Sequence, residues 1–332
     1  MCQKSELAYF LFYNNSMKVV IVGKGLMLAN LVLGALDAGA EVVGVLRYEQ
    51  TSENQFKLFI KDIFNPNPEV TLFKQLKINQ IRMKSVNCKD FRKLLINKNV
   101  DMLLVGTWKE RIKKETFNIP KIGTINAHPS LLPKYRGPNP YLQTILHGEK
   151  YSGVTLHLVD EHYDSGAILS QEKIEILDSD TSKELREKSV RIARKLVAEL
   201  ITDLNKKIIT PIAQIEKNAS YYPNISGDER MIDFSYQTAL EITRTVRALH
   251  PFLPCYITHN EKFFIIDPYS MQILQEPFEN CGAGEIIAKN SDKKSLTIVC
   301  KDKMAIRFNN LKLYKAELFT KKYIDTKILP TS

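Results

Sequence analysis

Asn126 and His128 combine two side chains whose types suit the chemistry of a carbonyl group. Residues two apart on an extended strand point to the same side, and two prolines and a glycine in residues 129–137 turn the chain away just beyond them. A carbonyl oxygen above this strand end could be held by the amide and the imidazole, while a carboxylate from another loop handles protons. The pair predicts an acyl-transfer site without a serine or cysteine nucleophile.

Asp164 is the carboxylate that best completes this site, since its predicted loop can carry it towards His128. Asp160 is the rival in the same loop. Asp164 is preferred because Gly166, two residues on, lets the backbone approach a ligand closely. The alternative for Asn126 and His128 is structural, in which both side chains satisfy buried backbone groups at a turn.

Three segments, taken in order, resemble the folate-dependent formyltransferases. Residues 125–137 contain Asn-x-His-x-Ser-Leu-Leu-Pro, residues 153–155 are Gly-Val-Thr, and Asp-x-Gly follows at residues 164–166. The resemblance implies transfer of a formyl group from the co-substrate 10-formyltetrahydrofolate to a primary amine, without a metal. It also implies that the catalytic residues are Asn126, His128 and Asp164. Because the three motifs occur together, we favour the catalytic interpretation over the structural one.

The same resemblance implies which residues surround the two substrates. The pterin of the donor is expected along residues 105–112, which contain the single tryptophan of the chain. The residues expected to bind the donor are Gly106, Trp108, Ser130, Leu131, Leu132, Pro133 and Asp160. Those expected to bind the acceptor are Tyr135, Arg136 and Gly137.

The first part of the chain predicts a βαβ unit. Residues 19–22 are apolar and strand-like, a turn with two glycines follows, and an Ala- and Leu-rich helix leads to a second strand at residues 41–45. The turn invites comparison with the dinucleotide motif GxGxxG, but Leu28 occupies the third glycine position. Nicotinamide binding is therefore rejected, and the glycines are attributed to close packing between strand and helix.

Two later apolar runs, residues 101–106 and 122–127, predict buried parallel strands. The expected class is α/β, with the Rossmann-like, parallel-rich sheet of the formyltransferase fold. Asn126 and His128 then lie at the carboxyl-terminal end of a strand, the edge at which open α/β sheets bind ligands.

Four regions are expected along the chain. Residues 1–16 are a leader, with Met17 as an alternative start, and residues 17–208 form the catalytic domain, which closes with a helix capped by Thr181 and Glu184. Residues 209–230 lose periodicity and predict a linker or extended crossing segment. Residues 231–332 resemble the C-terminal domain of methionyl-tRNA formyltransferases, a small open β-barrel of OB-like type.

Bulk composition fits a globular enzyme. At 332 residues and 44% hydrophobic content the chain can form two cored domains, and its apolar stretches fall short of the roughly twenty residues of a membrane span. Five scattered cysteines without a CxxC pair favour reduced thiols in a cytoplasmic protein and argue against a zinc site. The net charge of +10 favours phosphate-bearing partners, although scattered lysines are more simply explained as solvated surface.

The sequence leaves the acceptor open between two amines. Methionyl-tRNA is the first expectation, and a nucleotide-linked amino sugar is the alternative. Against tRNA, residues 47–65 hold Glu49, Glu53 and Asp62 where methionyl-tRNA formyltransferases usually carry a basic, glycine-rich loop. Beyond residue 208 there are also only 16 basic residues against 14 acidic ones. An alternative of another class is a non-catalytic tRNA- or folate-binding module.

The remaining histidines are not expected to take part in catalysis. His157 is predicted on the polar face of a strand, exposed to solvent. His162 shares the loop with Asp164 and could touch a substrate, but a loop histidine is more often idle. His250 and His259 lack a partner pattern typical of metal ligands.

Overall fold

A seven-stranded sheet carries the predicted catalytic residues. Its strands are β1 (Lys18–Gly23), β2 (Glu41–Arg47), β3 (Gln80–Ile81), β4 (Met102–Gly106), β5 (Gly123–His128), β6 (Tyr151–Leu158) and β7 (Ile168–Glu175). They lie in the order β3-β2-β1-β4-β5-β6-β7. The first five strands pair in parallel, whereas β6 and β7 are antiparallel to their neighbours. The predicted Rossmann-like, parallel-rich sheet is confirmed.

The computed structural model describes residues 16–52, 55–206, 208–225, 228–259, 262–290 and 294–314. The predicted leader, apart from Ser16, and the last residues of the predicted C-terminal domain lie outside this part of the chain. The described α-helices are α1 (Gly25–Asp37), α2 (Glu49–Ser52), α3 (Gln55–Phe64), α4 (Pro68–Gln75), α5 (Lys89–Asn97), α6 (Lys114–Phe117), α7 (Pro140–Leu146), α8 (Ser182–Asn205) and α9 (Ala239–Leu249). None of them is both long and apolar enough to cross a membrane.

The β1–α1 turn explains the two glycines near the start of the chain. Gly25 has φ of +57°, a conformation that glycine adopts without strain. At Gly23, β1 and β4 approach so closely that a Cβ atom would lie 2.3 Å from the carbonyl oxygen of Gly106. Close packing therefore explains Gly23, and its nearest partner is strand β4 rather than the helix that the sequence predicts.

Helix α8 covers one face of the sheet, and it begins at the predicted capping box. The Thr181 hydroxyl accepts from the backbone N–H of Lys183 at 3.2 Å, and the Glu184 carboxylate accepts from the backbone N–H of Thr181 at 3.0 Å. The helix packs on α1 and on strands β6 and β7. The apolar positions predicted for the core are all buried, namely Leu185, Ala193, Leu196, Val197, Leu200 and Leu204.

After α9 the chain forms two small antiparallel sheets. Their strands are β8 (Tyr256–His259), β9 (Lys262–Ile265), β10 (Met271–Ile273), β11 (Ile286–Asn290), β12 (Ser295–Val299), β13 (Ala305–Phe308) and β14 (Lys312–Tyr314). The orders are β10-β13-β12-β11 and β14-β9-β8. One cluster of buried apolar residues extends from Met17 to Leu311, so the central sheet and the C-terminal sheets share a core.

Residues 209–225, the connecting segment, join the two parts of the molecule without forming a named strand. They nevertheless pair with the catalytic half at two isolated bridges, Ile212 with Ile168 and Tyr221 with Arg136. Of the predicted linker, residues 226 and 227 lie outside the described residues. The segment is thus an extended stretch that crosses the catalytic half.

Candidate active site

Two adjoining cavities lie at the carboxyl-terminal ends of β4 and β5. The larger has a volume of about 460 Å³ and the smaller about 80 Å³. Four residues line both of them, namely Trp108, Asn126, Tyr163 and Asp164. The site therefore has two compartments, and two of the three predicted catalytic residues stand where these meet.

Asp164 is the point at which the catalytic side chains converge. Its Oδ1 lies 3.5 Å from Nδ1 of His128 and accepts a long hydrogen bond of 3.4 Å from the Asn126 amide. Its Oδ2 accepts from the backbone N–H of Gly137 at 3.0 Å. Strand β5 supplies the amide and the imidazole, and the β6–β7 loop supplies the carboxylate, as the sequence indicates. The structure thus brings Asn126, His128 and Asp164 together.

A backbone carbonyl fixes the orientation of the His128 ring. Nε2 lies 2.8 Å from the carbonyl oxygen of Tyr135, which can only accept a hydrogen bond, so Nε2 carries a proton. Nδ1 is then the nitrogen that titrates, and it faces Asp164. The ring is 4% exposed, so water has little access to this pair.

The pKa values of the two groups follow from burial and from each other. Burial lowers the pKa of His128, and the Asp164 charge opposes this shift. Burial raises the pKa of Asp164, but the His128 charge, the His157 ring and the Gly137 N–H outweigh it and hold this pKa below its usual range. Asp164 is therefore a carboxylate at neutral pH, beside an imidazole whose pKa burial holds below its ordinary value.

His157 corrects the expectation from the sequence, because it is buried rather than exposed. Only 2% of it is accessible, and it stands opposite Asn126 in the register between β5 and β6. Its Nδ1 donates to the carbonyl oxygen of Leu158 at 2.8 Å, and its Nε2 can accept from the Asn126 amide at 3.2 Å. His157 thereby orients Asn126. The alternating pattern of β6 did not reveal this, because it depends on which strand lies alongside.

Among the residues expected to bind the donor, Trp108 and Asp160 line the smaller cavity. The Trp108 ring packs edge-on against Tyr48, and its buried Nε1 has no hydrogen-bond partner among the described residues. Asp160 accepts from the backbone N–H of His162 and from the Ser165 hydroxyl. These contacts hold the loop that presents Asp164.

The other residues expected to bind the donor do not line either cavity. Gly106 faces helix α1, where a Cβ atom would lie 2.7 Å from side-chain atoms of Met27 and Leu31. The Ser130 hydroxyl donates to the carbonyl oxygen of Lys134. The turn that follows β5 contains Ser130, Leu131, Leu132 and Pro133.

The three residues expected to bind the acceptor divide in the same way. Gly137 lines the larger cavity. The Tyr135 hydroxyl donates to Glu149, its ring stacks on Tyr222, and burial with this hydrogen bond raises its pKa. The Arg136 guanidinium donates to Gln214 and Glu216. Tyr135 and Arg136 therefore do not line either cavity, and their side chains bond to residues around the site.

Residues that the sequence did not single out complete the larger cavity. Tyr163 and Tyr221 are each more than half exposed, and Asn224 accepts at 2.8 Å from the side-chain amide of the buried Asn139. Lys109 is the only lysine or arginine among the lining residues described. Tyr221 and Asn224 come from the connecting segment, so their place in the site depends on the tertiary fold.

Three non-glycine residues at the site have positive φ, namely Thr107 (60°), Tyr135 (59°) and Asp164 (55°). Such a conformation costs energy that the surrounding contacts must offset, and it clusters at functional sites. Among the described residues, no group of three His, Cys, Asp or Glu side chains could hold a metal ion.

Family models place the chain in a known class. The model described as formyl transferase matches residues 17–201, and that of the formyl transferase C-terminal domain matches residues 224–325. The chain belongs to the formyl transferase family.

Curated relatives include methionyl-tRNA formyltransferases. That of Enterococcus faecalis is 27% identical over 297 residues, which are 89% of this chain and 90% of the relative. That of Thermodesulfovibrio yellowstonii is 38% identical over 174 residues, which are 52% of this chain and 54% of the relative.

Solved structures with the same fold include two formyltransferases. A sugar 3N-formyl transferase, WlaRD, solved with dTDP and 5-N-formyl-THF, is 19% identical with a TM-score of 0.64, over 89% of this chain and 98% of that one. An N-formyltransferase from Helicobacter canadensis, solved with folinic acid and dTDP-3-aminofucose, is 19% identical with a TM-score of 0.63, over 90% and 100%. At this identity the likeness shows the fold.

Proposed function

We propose that this formyltransferase moves a formyl group from 10-formyltetrahydrofolate to a primary amine, and that Asn126, His128 and Asp164 carry the reaction. The observation that carries the proposal is the position of Asp164. Its carboxylate meets the His128 ring and the Asn126 amide where the two cavities join. Two substrates that enter from different compartments would meet at this point.

The smaller cavity offers contacts that suit the flat, polar ring of the donor. Val105, Ile112 and Val159 give it apolar walls, and the unpartnered Nε1 of Trp108 can donate to an acceptor atom of a ligand. The family resemblance of residues 105–112 supports the same assignment. The donor is a co-substrate that supplies the formyl group, and the protein supplies position and proton transfer.

His128 takes up the proton in the proposed mechanism. The neutral amine attacks the formyl carbon, a C–N bond forms, and the carbonyl oxygen becomes an oxyanion. Because Nε2 already donates to Tyr135, the amine proton passes to Nδ1 of His128. Asp164 stabilises the resulting imidazolium, and its own low pKa makes it a poor proton acceptor. When the bond to the donor nitrogen breaks, the same proton can go to that nitrogen.

Asn126 stabilises the oxyanion. One hydrogen of its amide is held by His157 at 3.2 Å, whereas the contact with Asp164, at 3.4 Å, is long and weak. The oxyanion competes successfully for this second hydrogen because it is the stronger acceptor at the moment it forms. His157 thus aims the amide without taking part in bond changes.

Methionyl-tRNA is the acceptor that the larger cavity favours. Prolines and aromatic rings dominate its described wall, with Lys109 as the single lysine or arginine. Such a wall suits an apolar side chain next to the amine, whereas a sugar diphosphate calls for several cationic or N–H donors. A nucleotide-linked amino sugar is the second candidate. The related structure with dTDP-3-aminofucose favours it, and so does the absence of the basic loop in residues 47–65.

A transfer assay tests both candidates. The wild-type protein is given a labelled formyl donor together with methionyl-tRNA or a panel of amino-sugar nucleotides, and the formylated products are separated. Label on methionyl-tRNA is expected. Label on sugars alone would move the proposal to the second acceptor, and label on no amine would leave only a non-catalytic binding module.

We also propose the arrangement in which this activity operates. Residues 17–208 form the catalytic domain, residues 209–230 connect it, and residues 231–332 form the C-terminal domain. The methionyl-tRNA formyltransferases among the relatives, and the scattered cysteines, support a cytoplasmic location.

A further inference from the structure

Gln214, in the middle of the connecting segment, contacts the backbone of the loop that carries Asp164. Its side-chain nitrogen donates to the carbonyl oxygens of Asp164 and Gly166, each at 2.8 Å. The loop also pairs with the segment nearby, since Ile168 and Ile212 exchange backbone hydrogen bonds of 2.7 and 2.8 Å. The connecting segment is therefore bonded to the end of the loop.

The oxygen of the same Gln214 amide contacts Arg136, which directly precedes Gly137. This oxygen accepts from Nε and Nη2 of Arg136, at 3.2 and 2.8 Å. Because a guanidinium only donates and a carbonyl oxygen only accepts, the amide has one consistent orientation. Gln214 makes four contacts in all, which saturate its amide.

The chain at Arg136 and the Asp164 loop meet again at the Asp164 carboxylate. Gly137 follows Arg136 directly, and its backbone N–H donates to Oδ2 of Asp164 at 3.0 Å. Asp164 itself has a positive φ of 55°, which its surroundings must maintain. A closed circuit results, from Gln214 through Arg136 and Gly137 to the Asp164 carboxylate, and back through the Asp164 carbonyl.

We infer that Gln214 is a positioning residue for Asp164, and that the connecting segment is a working part of the catalytic site. The predicted effect of Gln214 on turnover rests on the proposed function. Its effect on the position of Asp164 does not depend on that function. Without the two donated hydrogen bonds, the loop relaxes and the carboxylate moves away from Nδ1 of His128. The segment then determines catalysis although it contributes no reacting group.

Gln214→Met tests this in the full-length protein. Methionine has a similar shape and no hydrogen-bonding amide, so kcat is expected to fall about 10-fold to 100-fold from misplacement alone. The KM for the folate donor should stay within about twofold, because Gln214 does not line either cavity. Ile215→Ala is the matched control, since that neighbouring side chain is 61% exposed. It should behave as wild type.

The pKa of His128 supplies a readout that needs no turnover. It is measured by NMR titration of protein labelled with ¹⁵N-histidine, with His128→Asn to assign the resonance. Asp164 raises this pKa, whereas burial, His157 and Arg136 lower it. A displaced carboxylate should therefore lower the His128 pKa in Gln214→Met and leave it unchanged in Ile215→Ala.

A second variant separates the two halves of the Gln214 contacts. Gln214→Glu keeps an acceptor for Arg136 and loses both donors to the Asp164 loop, so it should also lose kcat. Folded variants with wild-type kcat and an unchanged His128 pKa would overturn the inference. A wild-type protein that formylates no amine would refute the proposed function, and the titration of Gln214→Met would still decide the role of Gln214.

Discussion

Asp164 is a buried carboxylate whose neighbours include two imidazole rings. His128 and His157 both approach its Oδ1, at 3.5 and 3.7 Å. A carboxylate in this setting stabilises positive charge on its neighbours more effectively than it accepts a proton itself. Its task at the residue scale is therefore electrostatic.

Asp164→Asn removes that charge and keeps the shape of the side chain. Turnover is expected to fall about 100-fold to 10,000-fold, because the imidazolium that forms on His128 loses its counter-charge. Binding of the folate donor, measured by fluorescence titration or calorimetry, should stay nearly intact. Equal loss of binding and turnover would show that Asp164 is mainly structural.

The dependence of turnover on pH should report His128. Since Nδ1 must be unprotonated to take the amine proton, kcat is expected to fall as the pH falls through the pKa of His128. Burial lowers this pKa from its ordinary value of 6.5, so the acid limb should lie below 6.5. In Asp164→Asn the limb should shift to lower pH still. A limb above 6.5 in the wild type would contradict the assignment of the base.

His157→Leu tests whether this buried ring aims Asn126. Loss of the 3.2 Å contact frees the Asn126 amide to rotate, so kcat should fall by about 10-fold, less than the roughly 100-fold expected when an oxyanion donor is removed. The KM for the acceptor should change little, because His157 does not line the larger cavity. The comparison variant is Asn126→Ala, and a double variant should lose no more than Asn126→Ala alone, because both changes disable one hydrogen bond.

At the scale of elements, Gly137 shows how closely the connecting segment packs against the site. Its φ is +109°, and a Cβ atom there would lie 2.3 Å from the carbonyl oxygen of Tyr222. Gly137→Ala should lower the free energy of unfolding by about 2 to 4 kcal/mol, through left-handed strain and steric overlap together.

Gly39→Ala is the matched control for that substitution. Gly39 also has positive φ, at +72°, but a Cβ atom there would meet nothing within 4 Å. Its cost should be limited to about 1 kcal/mol. Denaturant titration of both variants measures the difference. Equal losses would mean that the packing of the connecting segment contributes nothing.

Features that depend on neighbouring residues could be predicted from the sequence. Features that depend on long-range pairing could not. The capping box of Thr181 and Glu184, the β1–α1 turn and the strand carrying Asn126 were all predictable, because each depends on a few neighbouring residues. Burial of His157 depends on the register between β5 and β6. The place of Gln214 depends on a segment returning across the site from about fifty residues further on.

At the scale of the whole molecule, the response to salt distinguishes the two acceptors. Binding of tRNA releases ions from several phosphates, so the apparent affinity for methionyl-tRNA should fall steeply between about 50 and 200 mM salt. An amino-sugar nucleotide has two phosphates and should show a shallow slope. The KM for the folate donor under the same conditions is the control. Matching slopes for both acceptors would argue against a tRNA interface.

The larger cavity is lined by parts of the chain that differ in how well they tolerate substitution. Asn126 and His128 lie on β5, a strand held on both sides by the central sheet, whereas Tyr221 and Asn224 lie in the connecting segment, which has no α-helix or named strand. Substitutions in such stretches disturb the remaining fold far less than substitutions in a central strand. In an ancestor with this architecture, substitutions in the connecting segment alone could change the amine acceptor. The residues proposed for formyl transfer would stay the same.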